Sequence, residues 1–216
     1  EYLARAIESD ESHHFAYLDF DFFKPFNDKY GFRTGDRAIM MCADILRAVF
    51  NRAGRFIGHV GGDDFFVGFN SAECDDAVTE FAHRRLAPTE ARYGAMLAGV
   101  PVAARPAELA AALTADGYAA SAEQAGPGVQ MCQHHCPVAH VAADFTQLCE
   151  AETEVFGRLL GTHVQRLATI AHGDGVCTTH IPVHLPVPGA AVQAAPSDAT
   201  SVQERQASPT SRKVGA

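Results

Sequence analysis

Two sets of side chains in this sequence have types and spacings that could do chemistry. The first is a set of aspartates: Asp19 and Asp21 follow a short apolar run, and Asp63 and Asp64 stand in the stretch GGDD. Carboxylates are the hard oxygen ligands that Mg²⁺ prefers, together with phosphate oxygens. If the elements that carry them pair, these aspartates predict a site for in-line attack on a phosphate. The alternative is that GGDD is an ordinary turn whose aspartates are solvated.

The second set is four of the six cysteines, spaced C-x3-C-x12-C-x27-C. They are Cys132, Cys136, Cys149 and Cys177. Thiolates are preferred ligands of Zn²⁺ and of iron–sulfur clusters, and four of them complete either kind of site. The alternative is a set of buried, inert thiols, because free cysteine is often buried. The spacing alone leaves both interpretations open.

Composition and charge restrict the class of protein. The 216 residues carry a net charge of -9, which argues against a broad basic surface for nucleic acid. No apolar run approaches the roughly 20 residues of a membrane helix, and no signal peptide is visible. We therefore expect a cytoplasmic protein with no membrane contact, where clustered cysteines are metal ligands more often than disulfides. The sequence does not begin with Met, so we expect a fragment.

The elements that must position the aspartates are a strand, a helix and a hairpin. Residues 14–20 form a short apolar run typical of a buried strand. Residues 34–53 have apolar side chains at helical spacing, which predicts an amphipathic helix. Two β-rich runs, 54–60 and 65–69, flank GGDD and predict a hairpin.

The elements that carry the cysteines follow in the order α-α-β-β-α-β-β, which predicts an α+β fold with an antiparallel sheet. The first helix spans 74–99 and is expected to break or kink at Pro88. A later helix is predicted over 141–161, and the last two strands are expected to be joined by a turn at HGDG. Residues 185–216 are rich in Pro, Ala and Ser, and we expect them to be disordered.

The order of residues in the first part resembles a known family. LDFDFFKPFNDKYGFRTGD, followed by GGDDF, is similar to the motifs of the GGDEF family, the diguanylate cyclases, over residues 1–70. The resemblance implies a dimer that makes cyclic di-GMP from GTP. It also implies that Asp19 and Asp63 hold Mg²⁺ and that Asp63 and Asp64 are catalytic. The nucleotide-binding residues that it implies are Lys24, Asn27, Asp36, Gly61 and Gly62.

Three departures from that family's pattern bear on activity. Asp64 stands where the motif has Glu, so its carboxylate is one methylene shorter. The family's inhibitory product site is Arg-x-x-Asp, but this sequence has Arg52 and Arg55 there, so we expect that site to be absent. The part of the family's fold that follows the turn is not recognisable, so we expect a truncated domain.

The later part resembles a different family. CQHHCPVAHVAADFTQLCEAETEVFGRLLGTHVQRLATIAHGDGVCTTHIP is similar to the C-terminal sensor domain of the SufR-type iron–sulfur regulators, which are ArsR-like, over residues 73–184. The resemblance implies that the four cysteines ligate an Fe–S cluster of the 4Fe–4S type and that the helix at 75–98 forms a dimer. Those regulators read DNA through a winged helix, which is missing here, so we do not expect DNA binding.

Together these observations predict an α+β protein in three parts. They are a partial GGDEF-type α/β unit (1–72), an α+β sensor domain with an antiparallel sheet (73–184) and a disordered tail (185–216). The favoured expectation is an iron–sulfur sensory protein of the SufR type rather than an enzyme. The alternative is a diguanylate cyclase that makes cyclic di-GMP. GTP or cyclic di-GMP, Mg²⁺ and a second copy of the chain are the expected partners.

Overall fold

Helices and strands cover most of residues 2–182, the part of the chain described by this computed structural model. The helices are α1 (Tyr2–Glu8), α2 (Phe23–Tyr30), α3 (Phe32–Phe50), α4 (Cys74–Leu97), α5 (Arg105–Ala115), α6 (Ala139–Asp144) and α7 (Gln147–Leu160). The strands are β1 (His13–Leu18), β2 (Arg55–Gly61), β3 (Asp64–Asn70), β4 (Ala120–Ala125), β5 (Gly128–Gln133), β6 (Gln165–Ala168) and β7 (Cys177–Pro182). The predicted disordered tail lies outside the described residues.

The first sheet is antiparallel and has the order β1-β3-β2. Alternate residues of β3 point to opposite faces, and Phe65, Val67 and Phe69 are buried on the inner face. Helix α3 covers that face with Leu46 and Val49, which are fully buried. The strand at 14–20 and the amphipathic helix at 34–53 are therefore confirmed, with ends shifted by a few residues.

The outer face of this sheet carries aromatic side chains that remain largely in solvent. Phe15 and Tyr17 on β1 and Phe66 on β3 are all exposed. At one end of the face, the ring of Tyr2 stacks on Phe56 with a centroid distance of 5.6 Å. The polar and aromatic side chains near the hairpin are thus accessible from this side.

Helix α4 belongs to two cores at once. Near its start Ala77 packs with the first sheet and α3, whereas Leu86, Tyr93 and Leu97 pack in a second core with α5 and α7. Of the break or kink expected at Pro88, the break does not occur, because α4 is continuous through this residue. Packing on both sides holds the helix together and offsets the backbone hydrogen bond that proline removes.

The second sheet is also antiparallel, with the order β4-β5-β7-β6. Met131 and Ile181 face its core, where they meet Leu109 of α5 and Phe156 and Leu160 of α7. This arrangement confirms the mixed helical and antiparallel architecture expected for residues 73–184. None of the helices in the described part of the chain has the length and apolar character needed to cross a membrane.

The helix predicted over 141–161 is two helices. Helix α6 ends at Asp144, and α7 begins at Gln147. Between them, Phe145 leaves the helical conformation at φ -128° and ψ 84° and packs against the second core. No glycine or proline stands at this position to indicate the break.

Candidate functional site

The β2–β3 hairpin and the end of β1 bring the aspartates together. In the hairpin, Gly61 pairs with Asp64, so Gly62 and Asp63 are the two turn residues. Gly61 has φ 145° and Gly62 has φ 60°, which are conformations that glycine adopts without strain. Asp19 follows directly after Leu18, the residue paired with Phe65, so it reaches the same end of the sheet.

The resulting group consists of Asp19, Asp63 and Asp64. One carboxylate oxygen from each lies within 4.8 Å of the others, and no other group of three or more potential metal ligands this close occurs among residues 2–182. Loss of solvation raises the pKa of Asp19, and contact with Asp63 and the charge of Asp64 raise it further. Three negative oxygens held this close repel one another unless a cation lies between them, so the donor set fits a hard divalent ion such as Mg²⁺.

Tyr17 contacts this group from β1. Its phenol donates a hydrogen bond to Oδ1 of Asp64, and its ring lies 4.9 Å from that of Phe66. The hydrogen bond to Asp64 is the main cause that raises the pKa of Tyr17 to about 12. The phenol is therefore protonated and remains a donor at neutral pH.

An open pocket of about 490 Å³ adjoins the carboxylates. It is lined by Asp19, Phe20, Phe22, Phe23, Lys24, Pro25, Asn27, Asp28, Phe32 and Asp63. Lys24 is almost fully exposed and pairs with Asp28 at 3.6 Å, so its ammonium can swing toward a bound anion. The pocket thus combines carboxylate oxygens, an exposed lysine ammonium group and several phenyl rings.

Asn27 lines the same pocket from α2. Its Oδ1 is buried and has no hydrogen-bond partner within the described residues. Gly35 of α3 lies against it so closely that an added Cβ would be 1.9 Å from Oδ1. A buried acceptor with no partner is costly, which makes the Asn27 amide a candidate to turn toward the pocket and accept a hydrogen bond from a ligand there.

The other predicted nucleotide-binding residues, Asp36, Gly61 and Gly62, do not line this pocket. Asp36 is exposed near the start of α3 and does not line the pocket. Gly61 and Gly62 form the hairpin turn beside Asp63, and both are exposed. Asp21 is likewise exposed and is not part of the carboxylate group.

Arg52 and Arg55 occupy the place of the family's inhibitory site. The Arg55 side chain is buried; its Nε donates to Glu73 at 2.8 Å and its Nη1 donates to the Val49 carbonyl at 3.0 Å. Arg52 donates to Glu80 of α4 at 2.8 Å. Both arginines therefore tie the hairpin and α3 to α4.

Three of the four predicted cysteine ligands, Cys136, Cys149 and Cys177, lie in the same neighbourhood, although their sulfur atoms are not all within 4.8 Å of one another. Burial raises the pKa of Cys149 to about 11, Arg166 opposes this rise, and Glu152 and the thiols of Cys136 and Cys177 add to it. Burial likewise raises the pKa of Cys136. The thiol of Cys177 accepts a hydrogen bond from the backbone N–H of Ile170 at 3.3 Å.

Cys132 is separated from this group by the sheet. In the β5–β7 register, Cys177 lies directly opposite Gln133, which is buried on the core face. Because side chains alternate along a strand, Cys132 points to the other face, where Gln130 donates to its sulfur at 3.6 Å. The predicted set of four cysteines is therefore divided, with Cys136, Cys149 and Cys177 on one side.

Sequence reasoning missed Tyr17, Phe22 and Phe32. Tyr17 is two residues before Asp19, and the period of a strand places such residues on the same face, so this signal was available. Phe22 is 83% exposed with φ 58°, and Phe32 is 74% exposed. Nothing in the local pattern distinguishes these two rings from core residues; only the fold leaves them at the pocket.

The comparisons with known proteins concern the first part of the chain. The family model described as the diguanylate cyclase GGDEF domain matches residues 1–98. This match continues beyond the predicted boundary at residue 72 and includes α4. It ends before the first of the four cysteines, and the comparisons lend no support to a SufR-like iron–sulfur segment.

One curated relative is the bifunctional diguanylate cyclase/cyclic di-GMP phosphodiesterase MucR of Pseudomonas aeruginosa. It is 35% identical over 77 residues, which are 36% of this chain and 11% of that protein. No solved structure matches the chain significantly. The carboxylate group and the adjoining pocket both lie in the matched segment: a GGDEF domain is detected over residues 1–98.

Proposed function

We propose that residues 1–98 bind GTP with Mg²⁺ and act as a diguanylate cyclase. The observation that carries this proposal is the group of Asp19, Asp63 and Asp64, whose oxygens lie within 4.8 Å of one another beside an open pocket. The match to the GGDEF family over the same residues supports it. Of the two functions expected from the sequence, we therefore propose the diguanylate cyclase in preference to the iron–sulfur sensor.

The three aspartates have the chemistry to hold the metal. Mg²⁺ bound there would neutralise charge on the triphosphate and favour in-line attack on the α-phosphorus. Lys24 would contact the phosphates as a mobile point charge. Asn27 would accept a hydrogen bond from guanine, whose N1–H and N2–H₂ groups supply donors that an adenine edge lacks at the same positions.

The reaction requires two copies of the site. The 3′-hydroxyl of one GTP attacks the α-phosphorus of the other, the bond to pyrophosphate breaks, and the hydroxyl proton is released. Repetition in the opposite direction closes the ring, so two GTP give cyclic di-GMP and two pyrophosphates. We therefore propose a homodimer in which each copy presents one GTP.

Turnover of GTP by the purified chain tests this function. We expect cyclic di-GMP and pyrophosphate to form with Mg²⁺, and Asp63→Asn to abolish both. Saturable GTP binding without product would reduce the proposal to a nucleotide-binding module. Neither binding nor product, alongside an active diguanylate cyclase as the assay control, would overturn it.

A second candidate function concerns the thiols of Cys136, Cys149 and Cys177. We propose that these three residues bind a metal centre, an Fe–S cluster or Zn²⁺. The nearness of Cys136 and Cys177 to Cys149, beside the largely buried Arg166–Glu152 ion pair (Nη2 to Oε2, 2.7 Å), favours this function. A site with three protein thiolates leaves one position for another ligand. The SufR-like sensory role stays a prediction.

Metal analysis of anaerobically purified protein tests the second candidate. We expect iron with sulfide, or zinc, at stoichiometric amounts, and we expect Cys149→Ser to remove it. Cys132→Ser is the matched control, because Cys132 lies on the other face of the sheet and its loss should leave the metal content unchanged. Metal-free protein after reconstitution, or equal losses in both variants, would contradict the three-thiol site.

A further inference from the structure

Tyr17 and Asp64 meet on the outer face of the first sheet. Tyr17 lies opposite Phe66 in the β1–β3 register, and Asp64 precedes Phe66 by two residues, so all three side chains share this face. The phenol of Tyr17 donates to Oδ1 of Asp64. This diagonal contact between neighbouring strands does not depend on any residue outside the sheet.

The contact between Tyr17 and Asp64 occurs at a position where this chain departs from the GGDEF motif. Asp64 is one methylene shorter than the Glu of the motif, so its carboxylate has less reach. It nevertheless lies within 4.8 Å of the oxygens of Asp19 and Asp63. A carboxylate has two oxygens: with Oδ1 engaged by Tyr17, Oδ2 stays free to face a cation.

We propose that Tyr17 is a positioning residue that holds the short Asp64 carboxylate in the metal-binding group. The inference rests on the proposed function, since it assumes that this group binds a divalent cation. Tyr17 acts only through Asp64. Its ring is 56% exposed, so burial contributes little to fixing it, and the contact with Phe66 orients the phenol toward the carboxylate.

Titration of the full chain with Mn²⁺, without nucleotide, tests this role. Free Mn²⁺ is measured by electron paramagnetic resonance, so the readout does not depend on turnover. Tyr17→Phe removes only the hydroxyl, and we expect it to weaken Mn²⁺ binding about three- to tenfold, as loss of one hydrogen bond to a partly exposed charged group would. Tyr30→Phe is the control, since it removes a phenol from α2 that does not line the pocket.

A second comparison, made in the Asp64→Glu variant, separates a positioning role of Tyr17 from a general structural effect of its substitution. In Asp64→Glu the longer side chain restores the reach of the motif residue, so adding Tyr17→Phe should change Mn²⁺ affinity less than twofold. Equal effects of Tyr17→Phe in both backgrounds, or no effect in the unsubstituted chain, would overturn the inference alone. Absence of Mn²⁺ binding by the unsubstituted chain would overturn the metal site and this inference together.

Discussion

The charges of Asp19, Asp63 and Asp64 should have opposite effects on stability and on the proposed metal binding. Without a cation, Asp19 is charged among Asp63 and Asp64, and its pKa is raised by loss of solvation and by these neighbours. For an acid with a raised folded-state pKa, the charged form costs stability, and this cost appears as pH rises through that pKa. The same charge is what a divalent cation requires.

We therefore predict that Asp19→Asn raises the midpoint of thermal unfolding in a chelator at neutral pH and removes the further increase that Mg²⁺ gives the unsubstituted chain. Circular dichroism melts with and without Mg²⁺ measure both effects. Asp21→Asn is the matched control, because Asp21 is exposed and outside the group. A lower midpoint for Asp19→Asn in chelator would contradict the electrostatic account.

Metal binding should also depend on pH in a defined direction. Because the pKa of Asp19 lies above its ordinary value, protons compete with the cation at a higher pH than they would at an isolated aspartate. We predict that Mn²⁺ affinity of the unsubstituted chain falls as pH decreases toward the acidic range and that Asp19→Asn flattens this dependence. Mn²⁺ titrations at several pH values measure it; a parallel pH dependence in the variant would contradict the prediction.

At the scale of elements, the contact between α2 and α3 shapes the pocket. Gly35 is buried where α3 passes Asn27, and there is no room for a Cβ between them. The side chain of Asn27 is flexible and ends in an amide group, so it can move aside at a modest cost in free energy. The helix packing therefore determines where Asn27 points more than it determines whether α3 forms.

We predict that Gly35→Ala weakens GTP binding and lowers the free energy of unfolding by no more than about 2 kcal/mol. Alanine gains about 1 kcal/mol in helix propensity, and the displaced Asn27 offsets this by about 1–3 kcal/mol. Gly94→Ala is the control: this exposed α4 position has Leu159 no nearer than 3.8 Å, so alanine should stabilise the chain by about 0.5–1 kcal/mol. Calorimetry with GTP measures the affinity, and urea unfolding measures the stability. Unchanged GTP affinity in Gly35→Ala would contradict a role for Asn27 in binding guanine.

At the scale of the whole molecule, α4 links the two cores. Its first turns pack with β3 and α3, and its later turns pack with α5 and α7. Arg52 and Arg55 add ion pairs from the first part to Glu80 of the same helix. Because one helix serves both cores, each core should depend on the other for its stability.

We predict that Leu86→Ala, in the second core, lowers the free energy of unfolding by about 2–5 kcal/mol. It should also lower the protection of backbone amides from hydrogen exchange in both sheets. Hydrogen exchange should show loss of protection in β3 as well as in β5. Leu167→Ala is the matched control, since Leu167 is exposed on β6 and its loss should change stability by less than about 0.5 kcal/mol. Loss of protection confined to β5 would mean that the cores unfold separately.

Much of the local structure was predictable from the sequence alone. Strand β1, helix α3 and the hairpin at GGDD follow from apolar periodicity and turn residues, which are properties of short segments. The GGDEF resemblance, carried by closely spaced motif residues, is confirmed over residues 1–98. The continuity of α4 through Pro88 and the division of helix 141–161 at Phe145 were not predictable, because tertiary packing overrides local preference at both.

The sequence by itself determined which residue types were available for chemistry: aspartates at the ends of strands, an asparagine on a helix and cysteines spaced along the second part. Only the tertiary structure decided which of them meet. It brings Asp19, Asp63 and Asp64 together with Tyr17, whereas the pleat of β5 turns Cys132 away from Cys177. The physical reason is that strand register and sheet face decide which distant side chains share a surface, and neither is a property of one segment.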